Sequence, residues 1–293
     1  MTPEKGMWFD TLNSSFGGWN KLITTAQVLE AYNEIQPSAP AVDQLRQWLV
    51  VTKQTENWGD DRETAEVIHS ILSSGTKWTV PASAPEVKVA GSVRNGEAVD
   101  ARTLVFPQTA YLTGSFTTEI DDASGYVQIL RNGAGPAWGG IVAQYEQEIE
   151  DVKKFGTKGV SITKALYSIS TDSNGTKAVS GPLKVGDRVR VTLTITCDRD
   201  MEYVAVTDAR SACLEPAEQV SGYSLSDGLW MYKEVRNDAT NLFIPFIGKG
   251  THIISYDCFV DREGEYSLGI AEAQSQYAPV FTAHSAGKVI TVK

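Results

Sequence analysis

The sequence predicts a multidomain protein of α and β structure, with helices first and an antiparallel β-sandwich at the C-terminus. Three observations predict this fold class. Residues 1–76 carry apolar side chains at steps of three and four, the period of a helix buried on one face. Residues 77–150 change to short β-rich segments. Residues 151–293 hold seven short alternating segments, the pattern of an immunoglobulin-type or fibronectin-III-type sandwich.

Composition and charge exclude several classes of function. The chain has 293 residues, 42% hydrophobic and 21% charged, which is typical of a globular protein of two or three domains. Its net charge of −10 argues against a nucleic-acid partner, because phosphate binding needs clustered Lys and Arg. No apolar run approaches the ~20 residues of a membrane span. The first residues do not resemble a signal peptide, so we expect either a cytoplasmic protein or a fragment of a larger one.

Three helices are predicted in the first part. Pro37 should stop the first helix and Pro40 should open the second, because proline suits the first turn. The third should begin at Asp60-Asp61, where acidic side chains meet the positive end of the helix dipole, and should stop at Gly75. The residues expected to face inward are Leu22, Ala26, Leu29 and Tyr32, then Val42, Leu45, Trp48 and Leu49, then Ala65, Ile68 and Leu72.

Strands are predicted in the second and third parts. The clearest is RVRVTLTIT (188–196), in which the valines, Leu193 and Ile195 should face the core and Arg190 and the threonines should face outward. Asn95-Gly96 predicts a turn. The middle strands are expected in EVKVAGSV, AYLTGSFTTEI, GYVQILR and GPAWGGIVAQY, and the other C-terminal ones in VSITKALYSIS, EYVAVTDA, NLFIPFI, THIISYDCFV, EYSLGIAEAQ and KVITVK.

The cysteines, histidines and acidic pairs predict no catalytic, cofactor or metal site. Cys197, Cys213 and Cys258 are odd in number and widely spaced, which fits neither a disulfide framework nor zinc. We expect buried thiols, with one bridge between Cys197 and Cys258 as the alternative. The three histidines are far apart in sequence, and no G-x-S-x-G nucleophile elbow occurs. The acidic pairs at 60–61 and 121–122 are expected in solvated turns rather than in a calcium or acid–base site.

Several long stretches follow one another in an informative order. The first part contains WNKLITTAQVLEAYNEI and AVDQLRQWLVVTKQTENWGDDRETAEVIHSIL, and the centre contains AWGGIVAQYEQEIEDV. The last part contains LKVGDRVRVTLTI, DARSACLEPAEQVSGY, GTHIISYDCFVDREGEYSLGIA and YAPVFTAHS. In this order they resemble the C-terminal portion of bacterial alpha-2-macroglobulin-like proteins of the Bacteroidetes type. The resemblance implies the last helices of a thioester-domain α/α toroid (1–76), a CUB-like β segment (77–150) and a C-terminal macroglobulin-like sandwich (151–293).

The resemblance also implies a function. Proteins of this family trap endopeptidases after a bait segment is cut, and some hold the enzyme through a reactive thioester. The chain would be a structural fragment of such a protease inhibitor, without enzyme activity or cofactor, and it would lack the bait region. It would dock on upstream macroglobulin and toroid domains. The full-length protein would be periplasmic or at the outer cell surface.

The segment SACLEPAEQV (211–220) decides whether the chain itself carries a thioester. By resemblance to the family, the acyl donor should be a glutamine three residues after the cysteine. Pro216 stands at that position after Cys213, and proline has no side-chain carbonyl. Ala212 replaces the glycine that would ease the turn, and Gln219 lies three residues too far along the chain. The sequence therefore predicts no thioester, with Cys213 as a half-buried thiol in a loop or at a strand edge.

Two other classes of function stay open. Some polysaccharide lyases also place a helical toroid before β-sandwiches, and tryptophans near the helices would then stack on sugars. Three helices are too few for a complete catalytic toroid, however. A carbohydrate-binding or adhesion module would use the sandwich loops as its contact surface, because sandwiches of this kind host many functions.

Overall fold

A computed structural model describes most of the helical part and nearly all of the C-terminal part. The described residues are 5–9, 21–75, 86–90, 92–94, 97–99, 102–104, 126–130, 146–169 and 176–293. The strands predicted at 110–120 and 135–145, the turn at 95–96 and the acidic pair at 121–122 lie outside these residues.

Three helices form the N-terminal part, and local sequence rules explain how they begin. Asp60 and Glu63 form a capping box, in which each side chain accepts a hydrogen bond from the other residue's backbone N–H. Pro40 occupies the first helical position of the second helix, as predicted. The third helix ends two residues before Gly75. The bounds are α1 Lys21–Ile35, α2 Pro40–Thr55 and α3 Asp61–Ser73.

The helices pack around one apolar cluster. The inward face predicted for α2 is confirmed, since all four of its residues are buried. The face predicted for α3 is wrong, because Ala65, Ile68 and Leu72 are exposed while Val67 and Ile71 are buried. Ser70 belongs to the same buried face, and because serine is polar the face is not recognised from the spacing of apolar residues. The Ser70 hydroxyl lies 2.8 Å from Glu30 Oε1 and 2.9 Å from the Glu66 carbonyl. Tyr32 of α1 is also exposed, contrary to prediction.

Five short strands are described in the middle part. Two of the predicted strand segments, EVKVAGSV and GYVQILR, do form strands, and the first of them is divided in two. β1 pairs antiparallel with β4 and β5, and β2 pairs with β3. The bounds are β1 Glu86–Ala90, β2 Ser92–Arg94, β3 Glu97–Val99, β4 Arg102–Leu104 and β5 Tyr126–Leu130.

The C-terminal part is the predicted antiparallel β-sandwich. A 3-10 turn at Ile149–Asp151 precedes it. Its strands are β6 Phe155–Gly156, β7 Val160–Ile169, β8 Thr176–Ala178, β9 Arg188–Cys197, β10 Met201–Ala209, β11 Leu214–Pro216, β12 Gly222–Ser226, β13 Leu229–Val235, β14 Ala239–Ile247, β15 Gly250–Val260, β16 Gly264–Ser267, β17 Ala271–Ser275, β18 Thr282–His284 and β19 Val289–Val292.

Two sheets enclose the core. One has seven strands in the order β12-β13-β14-β10-β17-β18-β6, and the other has five in the order β11-β15-β9-β7-β8. β16 and β19 form a separate pair. The alternation predicted for β9 is confirmed, with Val189, Val191, Leu193 and Ile195 buried against the opposite sheet.

The predicted strands account for only part of the sandwich, because β6, β8, β12, β13 and β18 were not predicted and one predicted strand is divided. EYSLGIAEAQ is two strands, because Gly269 takes a positive φ of 78° where its backbone passes close to the Ala209 carbonyl. The hairpin of β12 and β13 was not predicted. Its turn, Asp227-Gly228, has φ values of 49° and 74°, as in a type I′ turn. The Asp-Gly pair was therefore a sequence signal for this hairpin.

Candidate functional site

The segment that resembles a thioester motif lies beside an edge strand. Residues Leu214–Pro216 form β11 and pair antiparallel with β15, which places Pro216 opposite Cys258. Cys213 precedes this strand and is 0% exposed, so its thiol is fully buried rather than half-buried as expected. Its Sγ lies 3.3 Å from the Ser211 hydroxyl, and burial raises the pKa of the thiol.

The position three residues after Cys213 holds a buried proline ring. Gln219 is exposed and lies three residues beyond that ring in the chain. The extended geometry expected for Glu215, which precedes a proline, is found in β11. This backbone is that of a strand rather than the tight turn that would bring a side-chain carbonyl to the sulfur.

All three cysteines are buried and free. Burial raises the pKa of Cys197 and of Cys258 to about 12, so neither thiol is ionised near neutral pH. The alternative of a bridge between them is wrong. Cys197 lies opposite Gly250 and Cys258 lies opposite Val189, at distant positions along the β9–β15 pair. Eight residues of strand separate them, roughly 26 Å.

A buried polar cluster connects the two sheets. Lys164 Nζ of β7 lies 2.6 Å from Asp208 Oδ1 of β10. The two groups form an ion pair, but the geometry at Oδ1 does not meet the criteria for a hydrogen bond. The Lys164 ammonium also donates to the carbonyls of Ala209 (2.7 Å) and Leu268 (2.9 Å). The Tyr256 hydroxyl donates to the other oxygen of Asp208. Burial raises the pKa of Asp208, although Lys164 and Tyr256 oppose that shift.

This cluster is closed to solvent at its centre. The side chains of Lys164 and Asp208 are 3% and 0% exposed. Charges paired so far from water can hold the two sheets in register. Sequence reasoning missed the cluster because a lysine or an aspartate in an alternating strand is expected to face outward.

The helices and the sandwich meet at a second polar site. Lys5 Nζ lies 3.0 Å from Asp198 Oδ2, and Asn57 donates to Glu202 at 2.8 Å. A cavity of about 140 Å³ lies between them, lined among others by Trp48, Glu56 and Asp200. Burial, followed by the nearby Asp200 carboxylate, raises the pKa of Glu56 from 4.5 to about 7.

An exposed row of large apolar side chains crosses the outer face of the seven-stranded sheet. We call it the aromatic ladder: Tyr223, Leu225, Trp230, Tyr232 and Phe243. Cross-strand pairing aligns Tyr223 with Tyr232, Tyr232 with Phe243, and Leu225 with Trp230. The Tyr223 and Trp230 rings stack at 5.6 Å and 9°, and the Tyr223 and Tyr232 rings meet edge to face at 5.3 Å.

The ladder is unusual because its large apolar side chains, which are normally buried, are 38–70% exposed. A contiguous apolar patch of this kind marks an interaction surface. Sequence reasoning missed the ladder together with the β12–β13 hairpin, which carries four of its five residues. The Asp227-Gly228 turn, flanked by aromatic residues in alternation, could have revealed it.

Within the described ranges, no group of three His, Cys, Asp or Glu side chains is placed to hold a metal ion. Asp60 caps α3, which confirms the helix start predicted at Asp60-Asp61. Within the same ranges, every helix is too short or too polar to cross a membrane.

Residues 159–279 match the family model described as "Bacterial Alpha-2-macroglobulin MG10 domain". This part of the chain is therefore similar to the MG10 domain of the bacterial alpha-2-macroglobulins. The match falls inside the predicted C-terminal domain and confirms the resemblance drawn from the sequence. No curated protein matches the chain.

Solved structures of bacterial alpha-2-macroglobulins resemble most of the chain at low identity. The Salmonella protein reacted with methylamine is 19% identical, with a TM-score of 0.40, over 94% of this chain and 17% of that one. The Escherichia coli protein activated by porcine elastase is 14% identical, with a TM-score of 0.45, over 94% and 24%. The native E. coli fragment from domain MG7 to the C-terminus is 14% identical, with a TM-score of 0.40, over 94% and 42%. The chain thus spans about a sixth of the Salmonella protein's length.

Proposed function

We propose that this chain is a structural, non-enzymatic C-terminal part of an alpha-2-macroglobulin-like protease trap. The observation that carries the proposal is the MG10 match over residues 159–279. In this proposal, residues 1–76 are the last helices of a thioester-domain toroid, 77–150 are a CUB-like segment and 151–293 are the terminal sandwich. The full-length protein would meet target endopeptidases in the periplasm or at the outer cell surface.

In this proposal the chain itself does not capture a protease covalently. Pro216 supplies no acyl group, and Cys213 is buried beside a strand. Any thioester and any bait region would belong to other parts of the full-length protein. The MG10 domain would therefore position other domains rather than react.

The aromatic ladder supports a docking role for the MG10 domain. Exposed aromatic side chains are costly in water and are the side chains that dominate buried interfaces. Trp230 and Tyr232 lie near the centre of the ladder and are the best candidates for anchors. We propose that an upstream macroglobulin or toroid domain of the full-length protein covers this face.

Titration against proteases tests the structural role. The chain is incubated with elastase at increasing molar ratios, and residual activity is measured with a large protein substrate. We expect full activity at every ratio, because a trap needs a bait segment. Stoichiometric inhibition by the isolated chain would refute the proposal.

The docking face is tested in the full-length protein with Trp230→Ser and Tyr232→Ser. We expect both variants to increase proteolytic susceptibility between domains while the isolated chain keeps its melting temperature. Phe259→Ser is the matched control, because Phe259 is similarly exposed on the other sheet. Equal effects from Phe259→Ser, or binding of the ladder to an immobilised glycan that Trp230→Ser abolishes, would count against domain docking.

A further inference from the structure

A cleft opens between the two sheets of the sandwich, on the side of β12 and β15. Its volume is about 620 Å³. One wall is formed by β12, β13 and β14 of the seven-stranded sheet, and the other by β15 with arginines of β9. Residues 216–218 line it as well. Leu225 of the aromatic ladder also lines the cleft, whereas the other four ladder residues do not.

The edge of β15 that faces this cleft is open in its middle. The Ile253 N–H donates to the Asp227 carboxylate at 2.7 Å, and the Asp257 carbonyl accepts from the Ala217 N–H at 2.9 Å. Both contacts are on the side of β15 away from β9. In an antiparallel strand, alternate residues direct their N–H and C=O to the same side. Ser255 therefore directs its backbone groups into the cleft, and no residue in the described part of the chain pairs with them.

The contacts at the two ends of this edge imitate a neighbouring strand. The Asp227 side chain takes the place of a strand carbonyl at Ile253, and Ala217 continues the β11 pairing as far as Asp257. The segment of β15 from Ile253 to Asp257 is five residues long, and its centre at Ser255 is unpaired. An unpaired strand edge of this kind is a template for a further strand.

The floor of the cleft is apolar. Met231 and Leu242 of one sheet and Ile254 of the other are buried and line it. An added strand would point every second side chain at this floor and the others outward. Five residues of strand span roughly 16 Å, and a volume of about 620 Å³ holds the side chains of such a segment rather than a whole domain.

The rim of the cleft holds two arginines close to the open edge of β15. Arg188 and Arg190 both bond to the single carboxylate of Asp257, at 2.8 Å and 2.7 Å. Lys233 is paired one to one with Glu218. Two arginines thus share one carboxylate at this end of the rim, and their guanidinium groups can also meet an acidic side chain on an incoming segment.

We propose that this cleft binds an extended peptide segment of a partner protein, which adds as a strand to the edge of β15. The segment has apolar side chains at alternate positions and an acidic side chain between them. Its backbone pairs with Ser255, its apolar side chains cover Met231 and Ile254, and its carboxylate meets Arg188 and Arg190. The inference does not depend on the protease-trap proposal, because it rests on the sandwich alone.

Fluorescence polarisation tests this with a labelled, capped peptide of sequence Val-Glu-Val-Thr-Val. We expect saturable binding to the wild-type chain. Ser255→Pro removes the N–H that points into the cleft without touching the β9 ladder, and it should weaken binding about tenfold. Ser255→Ala is the matched control, since it loses the same 3.0 Å contact with the Thr192 hydroxyl but keeps the N–H.

Two further peptides and one further variant test the charge, the backbone pairing and the cleft separately. A Val-Lys-Val-Thr-Val peptide should bind more weakly at low salt, and Val-Pro-Val-Pro-Val should not bind because it cannot form the ladder. Ser224→Phe fills the cleft from the opposite wall and should also abolish binding. It keeps the test usable if Ser255→Pro fails to fold. The proposal is overturned if no saturable signal appears up to about 1 mM peptide, or if Ser255→Pro and Ser224→Phe bind like the wild type. A dimer of the chain that Ser255→Pro dissociates would assign the edge to a second copy instead.

Discussion

The ammonium nitrogen of Lys164 lies 2.6 Å from a carboxylate oxygen of Asp208, and the two residues come from opposite sheets of the sandwich. Taking each ion out of water is costly, and only the partner and the surrounding hydrogen bonds offset that cost. The Ala209 and Leu268 carbonyls and the Tyr256 hydroxyl supply those bonds. The pair is therefore stable as a unit, and neither member can be removed alone without a large penalty.

The first prediction is that Lys164→Met destabilises the chain by about 3–5 kcal/mol, because it leaves Asp208 buried without its counter-ion. The free energy of unfolding, measured by urea denaturation at neutral pH, checks this. The double variant Lys164→Met with Asp208→Leu should lose less than Lys164→Met alone, since no charge is then left unpaired.

An exposed pair serves as the control for that experiment. Arg188→Met removes one of the two arginines on Asp257; the Arg188 side chain is about half exposed, and Arg190 still pairs with the carboxylate. We expect a loss below about 1 kcal/mol. If Lys164→Met costs no more than Arg188→Met, the buried pair does not connect the sheets as described.

The second prediction concerns pH and Glu56. Its pKa is raised from 4.5 to about 7, so the folded state holds this proton more tightly than the unfolded state does. The stabilisation is complete below about pH 4.5 and is lost as the pH rises through 7. We expect the free energy of unfolding to fall by about 1 kcal/mol between pH 5 and pH 8, after allowance for solvent screening of a half-buried group.

Glu56→Gln should remove this fall, because the amide imitates the protonated acid at every pH. Urea denaturation followed by tryptophan fluorescence measures it, since Trp48 lines the same cavity. Glu146→Gln removes one exposed charge elsewhere and should leave the pH dependence intact. A Glu56→Gln chain that still loses stability between pH 5 and pH 8 would show that another group titrates.

Local rules predicted the elements whose stability is local. Pro40 and Asp60 begin helices because of their own backbone and side-chain chemistry, and both were found as expected. The alternation of β9 specified its buried face because both neighbouring strands and the opposite sheet agree with it. The helix starts follow from neighbours in sequence alone, and the face of β9 follows from an alternation that runs along the whole strand.

The rest depends on partners that are distant in sequence. Ile68 and Ile71 are equivalent in an apolar pattern, and only the position of α1 against α3 decides which of them is buried. Trp230 looks like a core residue until the pairing of β13 shows that it points to the outer face, between buried Leu229 and Met231. Lys164 and Asp208 are 44 residues apart in the sequence and meet only when the two sheets pack. The cleft beside Ser255 exists only as a gap between two sheets.

The third prediction is that the three thiols are protected in the native state. Burial raises the pKa of Cys197 and Cys258 to about 12 and also raises that of Cys213, so thiolate is scarce as well as hidden. We expect Ellman's reagent to react with the native chain only as fast as it opens, and with all three cysteines in guanidinium. Methylamine should add no mass at Cys213. Rapid labelling of Cys213 in the folded chain, or methylamine uptake there, would contradict its buried position.

The fourth prediction concerns the turn that joins β12 to β13. Gly228 has a φ of 74°, and a Cβ placed there meets no atom within 4 Å, so only backbone strain opposes a side chain. Gly228→Ala should therefore cost about 1–2 kcal/mol. Asp227→Asn should be close to neutral, because asparagine tolerates a φ of 49° and still offers an oxygen to the Ile253 N–H.

Gly222→Ala is the matched control for the turn. Gly222 lies in the same hairpin, has no positive φ and also leaves open space around a Cβ. Its replacement should be neutral or stabilising, since alanine reduces the freedom of the unfolded chain. Urea denaturation of the three variants separates strain from crowding. If Gly222→Ala and Gly228→Ala cost the same, the loss comes from the added methyl group in this hairpin, and the positive φ of Gly228 is not what fixes its geometry.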